Sequence, residues 1–216
     1  MLPLTLRIKK ETQRKIALLQ DFIVEEVYKH FDHAVLHGGT AIWRCYAGKR
    51  FSEDLDFYLP KDNSKINDLF ESLKQKGFKV IKRKVSENSI YSELELNRVH
   101  VRLEATFQKI HGHLTDYETL DGSIISIYSL TPEEFVKEKV PTYQKRRKIR
   151  DLYDIFFLLK LIKQWNEINK EIKLFLDKLE SPIDEKDLKV IILEGITPSS
   201  SEMIEYIKQK WENANI

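Results

Sequence analysis

A chain of 216 residues has room for one or two domains with a sizeable buried core, and 42% hydrophobic against 32% charged residues excludes both a disordered polymer and a staple-dependent mini-protein. With 36 Lys+Arg against 34 Asp+Glu the net charge is only +2, so no global basic field marks a nucleic-acid binder and any such role must come from local clusters. The single cysteine, Cys45, excludes an intrachain disulfide and a cysteine-based zinc site, and implies a reducing, cytoplasmic setting.

The start of the chain reaches Arg7, Lys9 and Lys10 before any apolar run of signal-peptide length. The longest dense apolar stretch, 155–159, falls far short of the ~20 residues that span a bilayer, so a soluble protein with no membrane partner is expected. Apolar residues at Ile16, Leu19, Ile23, Val27 and Phe31 predict an amphipathic helix over 11–31. The run 34–37 predicts a strand stopped by Gly38-Gly39, with a helix starting at Thr40. In 54–59 the alternation puts Leu55, Phe57 and Leu59 on one face of a strand and Asp54, Asp56 and Tyr58 on the other. A helix over 64–76 ended by Gly77, a strand over 78–84, and a hairpin of 91–96 with 99–107 across Asn97-Arg98 follow. Residues 123–130 read as a further strand, whereas His111-Gly112-His113 reads as a loop. From Thr131 the pattern is helical to the end, beginning with a capping box (Thr131, Pro132, Glu134) and a helix limited or kinked by Pro141. The expected boundary therefore falls at residue 130, with an α/β core over 1–130 and a helical domain over 131–216.

Several of these residues suit phosphate chemistry. A glycine pair opening a helix offers unhindered N–H groups at a positive helix end, although a plain tight turn has the same sequence. Two carboxylates at i and i+2, Asp54 and Asp56, can hold Mg²⁺ ions that also bind substrate phosphates, and Glu104 on the polar face of another strand can complete a three-carboxylate cluster. Each has an ordinary alternative as a solvated strand residue. Arg150 and Asp154 are one helical turn apart and can pair, and Asp151 can cap a helix. Two basic runs, Lys74 to Lys84 and Lys145-Arg146-Arg147-Lys148, are either solvated faces or phosphate contacts for an RNA.

Taken together, Gly38-Gly39-Thr40, the run Arg50-Phe51-Ser52-Glu53-Asp54-Leu55-Asp56-Phe57, Glu104, Lys139 and Arg150-Asp151-Leu152-Tyr153-Asp154 resemble the active-site motifs of DNA polymerase β-like nucleotidyltransferases. Within that superfamily the match is to the AbiEii/AbiGii-type toxin family, over residues 35–159. The resemblance implies that Gly38, Gly39, Thr40, Arg50, Ser52 and Lys139 bind a nucleoside triphosphate. It also implies that Asp54, Asp56 and Glu104 bind two Mg²⁺ ions, and that Lys139 and Asp151 act with Asp54 and Asp56 in catalysis.

The expected fold is α+β: a nucleotidyltransferase core around a small mixed β-sheet, followed by a helical C-terminal part that closes the cleft. The expected reaction is Mg²⁺-dependent transfer of a nucleoside monophosphate from an NTP to an acceptor, with tRNA or another RNA held by Lys145, Arg146, Arg147 and Lys148. The resemblance further implies the toxin of a pair held in check by a cognate antitoxin protein. The alternatives are a nucleotidyltransferase that modifies a protein, and a catalytically silent module of the same fold that binds RNA or a partner.

Overall fold

The computed structural model describes residues 3–214, and the chain divides after Ser129 into two compact units. In the first unit a short helix α1 (Leu4–Arg7) and the long helix α2 (Glu11–His30) precede β1 (Val35–His37), α3 (Gly38–Cys45), β2 (Leu55–Leu59) and α4 (Asn63–Gln75). Five strands follow: β3 (Lys79–Val85), β4 (Ser89–Leu96), β5 (Val99–Phe107), β6 (His113–Glu118) and β7 (Ile124–Ser129). With β1 and β2 they form one seven-stranded mixed sheet in the order β3-β4-β5-β2-β1-β7-β6. The pairs β2/β5 and β1/β7 are parallel and the remaining neighbours antiparallel.

Period-two alternation decides which side of the sheet is buried. Leu55, Phe57 and Leu59 of β2, with Leu103 and Ala105 of β5, are at most 3% exposed, and α2 packs against β5 and α4 with Ile23, Val24 and Val27 buried. The intervening residues of the same strands are only partly covered and leave a polar face. Between β4 and β5, Asn97 and Arg98 both take positive φ (52° and 63°), the two-residue hairpin turn that keeps Leu96 opposite Val99. Strand β6, of which the sequence reading covers only His113, as a loop, is an edge strand in which Tyr117 alone is buried, so it has no alternation to read.

The second unit contains α5 (Pro132–Arg146), α6 (Ile149–Leu158), α7 (Asn169–Asp177), α8 (Leu188–Ile191) and α9 (Ser200–Ala214). The capping box is present: Thr131 Oγ1 accepts from the Glu134 N–H, and Glu134 accepts from the Thr131 N–H at 2.8 Å. Pro141 does not end α5, which runs on to Arg146 and stops where Arg147 turns left-handed. Among the described residues no helix is long and apolar enough to cross a membrane.

One buried carboxylate ties α2 to the C-terminal end of α4. Glu26, with a side chain 1% exposed, accepts from Ser72 and forms ion pairs with Lys29 at 2.6 Å and Lys76 at 2.7 Å. Burial alone would raise its pKa, but the bonds from Lys29, Lys76 and Ser72 outweigh it and hold the group at about 2, against an ordinary 4.5. Because the folded value lies below the unfolded one, this stabilisation is complete above about 4.5 and lost as the pH falls toward about 2. Urea unfolding of wild type and Glu26→Gln should therefore differ at pH 7, and the difference should narrow steadily between pH 4.5 and 2.

Candidate active site

The polar face of the first unit gathers its functional side chains by strand register. His37 of β1 stands opposite Asp56 of β2, and Asp56 stands beside Glu104 of β5, so three titratable groups lie on one line across three strands. The His37 ring stacks on Tyr58, the next residue of β2 on this face, at 3.9 Å between centroids. Asp54 precedes β2 on the same side, and its carboxylate takes both ends of the Arg102 guanidinium at 2.6 and 2.5 Å. Burial, and next the repulsion from Asp56, push the Glu104 carboxyl above its ordinary pKa, with Arg102 opposing them.

The glycine pair forms the adjoining wall. Gly38 has φ +72°, and a Cβ there would collide with the Asp56 carboxylate. A Cβ on Gly39 would stand 2.6 Å from both Arg50 Nη2 and Ser52 Oγ. Only glycines let the start of α3 lie directly against these three side chains. His37, the residue before that helix, makes no side-chain cap bond to it, and the positive dipole end of a helix favours an anion.

Thr40, one of the expected nucleotide ligands, lies beneath this wall. Thr40 is fully buried, and its hydroxyl donates to the Asp54 carbonyl at 2.5 Å; Gln20, also fully buried, donates to the carbonyls of Ser52 and Glu53 at 3.0 and 3.1 Å. Both hold the 52–54 backbone from beneath, so Thr40 positions Asp54 rather than facing a ligand. Arg50 is 4% exposed, donates to the Phe51 carbonyl at 3.2 Å and sets its guanidinium beside Gly39. Gln20 was legible only as a polar residue on the apolar stripe of the first helix. Arg102 was legible as the neighbour of Glu104 on an alternating strand.

The second unit holds its own charge cluster. Lys139 Nζ lies 2.7 Å from Asp154 and 3.6 Å from Asp151, and both carboxylates are fully buried. Arg146 makes two bonds to Asp151, at 2.6 and 2.8 Å. Asp154 therefore partners Lys139, and Asp151 caps nothing; the cap of α6 comes from Asp184, which accepts from the Ile149 N–H at 2.7 Å. The basic run expected to bind RNA is largely committed within this unit, with Arg146 on Asp151, Arg147 on Glu180 at 2.6 Å and Lys148 on Asp184 at 3.4 Å.

Among the described residues no three His, Cys, Asp or Glu side chains converge as a metal cage, because Asp54 is turned to Arg102. The residues nonetheless fit a hard divalent cation: the donors are carboxylate oxygens, and Asp56 and Glu104 stand side by side as like charges that a cation would relieve. Arg102 is 45% exposed, and an ion pair that exposed is weak enough to be exchanged. A cavity of about 130 Å³ lined by His37, Asp56, Tyr91 and Glu104 adjoins these groups. A larger one, about 650 Å³, lies at the opposite ends of these strands by His33, Pro60, His111 and Tyr128 and contains none of the candidate residues.

Comparison with known proteins identifies the family and the fold. The family model described as "Nucleotidyl transferase AbiEii toxin, Type IV TA system" matches residues 21–213. The chain belongs to this family. Two solved Helicobacter pylori structures share its fold. JHP933 is 19% identical with a TM-score of 0.57 over 91% of this chain and 90% of that one. A protein named only provisionally as a nucleotidyltransferase is 19% identical with a TM-score of 0.60 over 91% and 93%. No curated protein matches the sequence. In this AbiEii-family chain the sheet sets Asp56 and Glu104 side by side.

Two measurements follow from the charges. Replacing Asp56 by Asn should lower the Glu104 pKa, read by carboxyl ¹³C NMR, without returning it to the ordinary value, because burial remains. In the second unit Lys139→Met would leave Asp154 buried without its cation and should cost about 3–5 kcal/mol in urea unfolding.

Proposed function

We propose that this AbiEii-family protein is a Mg²⁺-dependent nucleotidyltransferase that moves a nucleoside monophosphate from an NTP to a hydroxyl of tRNA or another RNA, as the toxin partner of an antitoxin protein. The observation that carries the reading is the register pair Asp56 and Glu104, set against a helix start whose two glycines touch Asp56, Arg50 and Ser52. Carboxylates alone repel a triphosphate, and a silent binding module gains nothing from them.

In the transfer the acceptor O–H loses its proton, its oxygen bonds to the α-phosphorus, the bond from that phosphorus to the β-phosphate oxygen breaks, and pyrophosphate leaves. The N–H groups at the start of α3 and the Ser52 hydroxyl bind the outer phosphates. Asp56 and Glu104, with Asp54 once it leaves Arg102, would hold Mg²⁺, which when bound supplies Lewis-acid stabilisation of the phosphoryl charge. Arg102 keeps Asp54 oriented and soluble in charge until then. Gln20 and Thr40 keep the Asp54 backbone in place from the buried side. For Lys139 and Asp151 a part in the transfer rests on resemblance to the family motif alone, and Asp151 and Asp154 hold the lysine in place by ion pairs.

Incubation with each labelled NTP, Mg²⁺ and total tRNA tests this directly. Label should pass to tRNA from one preferred NTP and should stop on chelation by EDTA. Asp56→Ala should retain the fold and lower transfer about a hundredfold or more, the loss expected for several kcal/mol of charge stabilisation. Label in a protein band instead would assign a protein acceptor, and wild-type transfer by Asp56→Ala would end the two-metal reading.

A further inference from the structure

The register line through the carboxylates does not stop at Glu104. It continues to Tyr91 of β4, which stands opposite Glu104, and to Lys84 of β3, which stands opposite Tyr91. With neighbouring strands about 4.8 Å apart, Tyr91 lies about 10 Å and Lys84 about 14 Å along this line from Asp56. The cavity beside Asp56 and Glu104 and a second one of about 330 Å³, lined by Lys82, Lys84 and Ser86, share Ser89 and Tyr91 as lining. The Lys82 ammonium sits 4.9 Å from the centre of the Tyr91 ring. Neither Lys82 nor Lys84 enters an ion pair among the described residues. The acidic group nearest in register is Glu93, opposite Lys82, and Glu93 is already engaged by His100 at 2.9 Å.

The reaction gives this line a direction. In an in-line displacement the attacking and leaving oxygens lie on opposite sides of the phosphorus. The anion-binding start of α3 lies on the β1 side of Asp56, which assigns the leaving pyrophosphate to that side and the incoming hydroxyl to the side of β5, β4 and β3. A polynucleotide end presents a hydroxyl, then a flat base, then phosphates. This face presents carboxylates, then an aromatic ring, then two lysines.

We propose that the β5–β4–β3 face is the acceptor track: a single-stranded RNA end lies across it with its terminal hydroxyl at the carboxylates, a base against Tyr91 and phosphates at Lys82 and Lys84. The assignment rests on the RNA-transfer reading above. It moves the RNA contacts away from the 145–148 run, in which Arg146 is held by two bonds to the fully buried Asp151.

The test uses the full chain with labelled tRNA and the preferred NTP, for wild type, Lys82→Gln/Lys84→Gln, Tyr91→Leu and Tyr91→Phe, all compared at matched melting temperature. Losing two phosphate contacts should flatten the log–log salt dependence of tRNA binding by about 1.4, at ~0.7 per contact on a single strand. KM for tRNA should rise while KM for the NTP holds. Tyr91→Leu should weaken tRNA about 5- to 100-fold, the range of one lost base stack, and Tyr91→Phe should restore it. If wild type labels tRNA but the double variant keeps its salt slope and KM, the track is overturned and the transfer reading stands. If wild type labels no RNA, or labels protein, both are overturned together.

Discussion

Like charges forced onto one register line are the constraint on which the first unit turns. Asp56 and Glu104 occupy adjacent positions of parallel strands, and burial, with repulsion from Asp56 next, raises the Glu104 pKa. Nothing local favours that arrangement. It persists because the opposite face of the same strands buries Leu55, Phe57, Leu103 and Ala105, and a one-residue slip would send those side chains to solvent. The hydrophobic face thus sets the register, and the register sets the charges. Arg102 offsets part of the excess through Asp54, and Gly38 leaves the Asp56 carboxylate space that any side chain would take.

A second layer of buried polar groups gives the site its shape. Thr40 and Gln20 reach the carbonyls of residues 52–54 from beneath, where water cannot substitute for them. The loop before β2 has no regular structure of its own, so these bonds determine where Ser52 and Asp54 stand. The helical unit applies a different economy to charge. There Lys139, Arg146, Asp151 and Asp154 satisfy one another in or near the interior, and burial makes each dependent on the rest.

The family's fold survives at 19% identity to two H. pylori structures because little of it depends on particular apolar residues. Alternating strands, a glycine-opened helix and a capped helix are patterns that many sequences satisfy. The polar residues that hold the 52–54 backbone are a separate requirement, set by hydrogen-bond geometry rather than by volume.

The elements themselves were readable from local pattern: the strand 55–59 and its two faces from alternation, α2 from apolar spacing, the Asn97-Arg98 hairpin from its turn, and the start of α5 from its capping box. Each depends on residues within a few positions of one another, which is why the sequence sufficed. Partnership at long range was not readable. Which residue faces Asp54, that Lys139 pairs with Asp154, where the i, i+4 spacing had offered Arg150, that Thr40 points into the core, and that the basic run 145–148 makes ion pairs within its own unit were decided only by folding. Residues distant in sequence meet through strand order and helix packing, and charge alone cannot say which of several carboxylates a cation will reach. Strand β6 escaped for the related reason that an edge strand with one buried residue leaves no periodic trace.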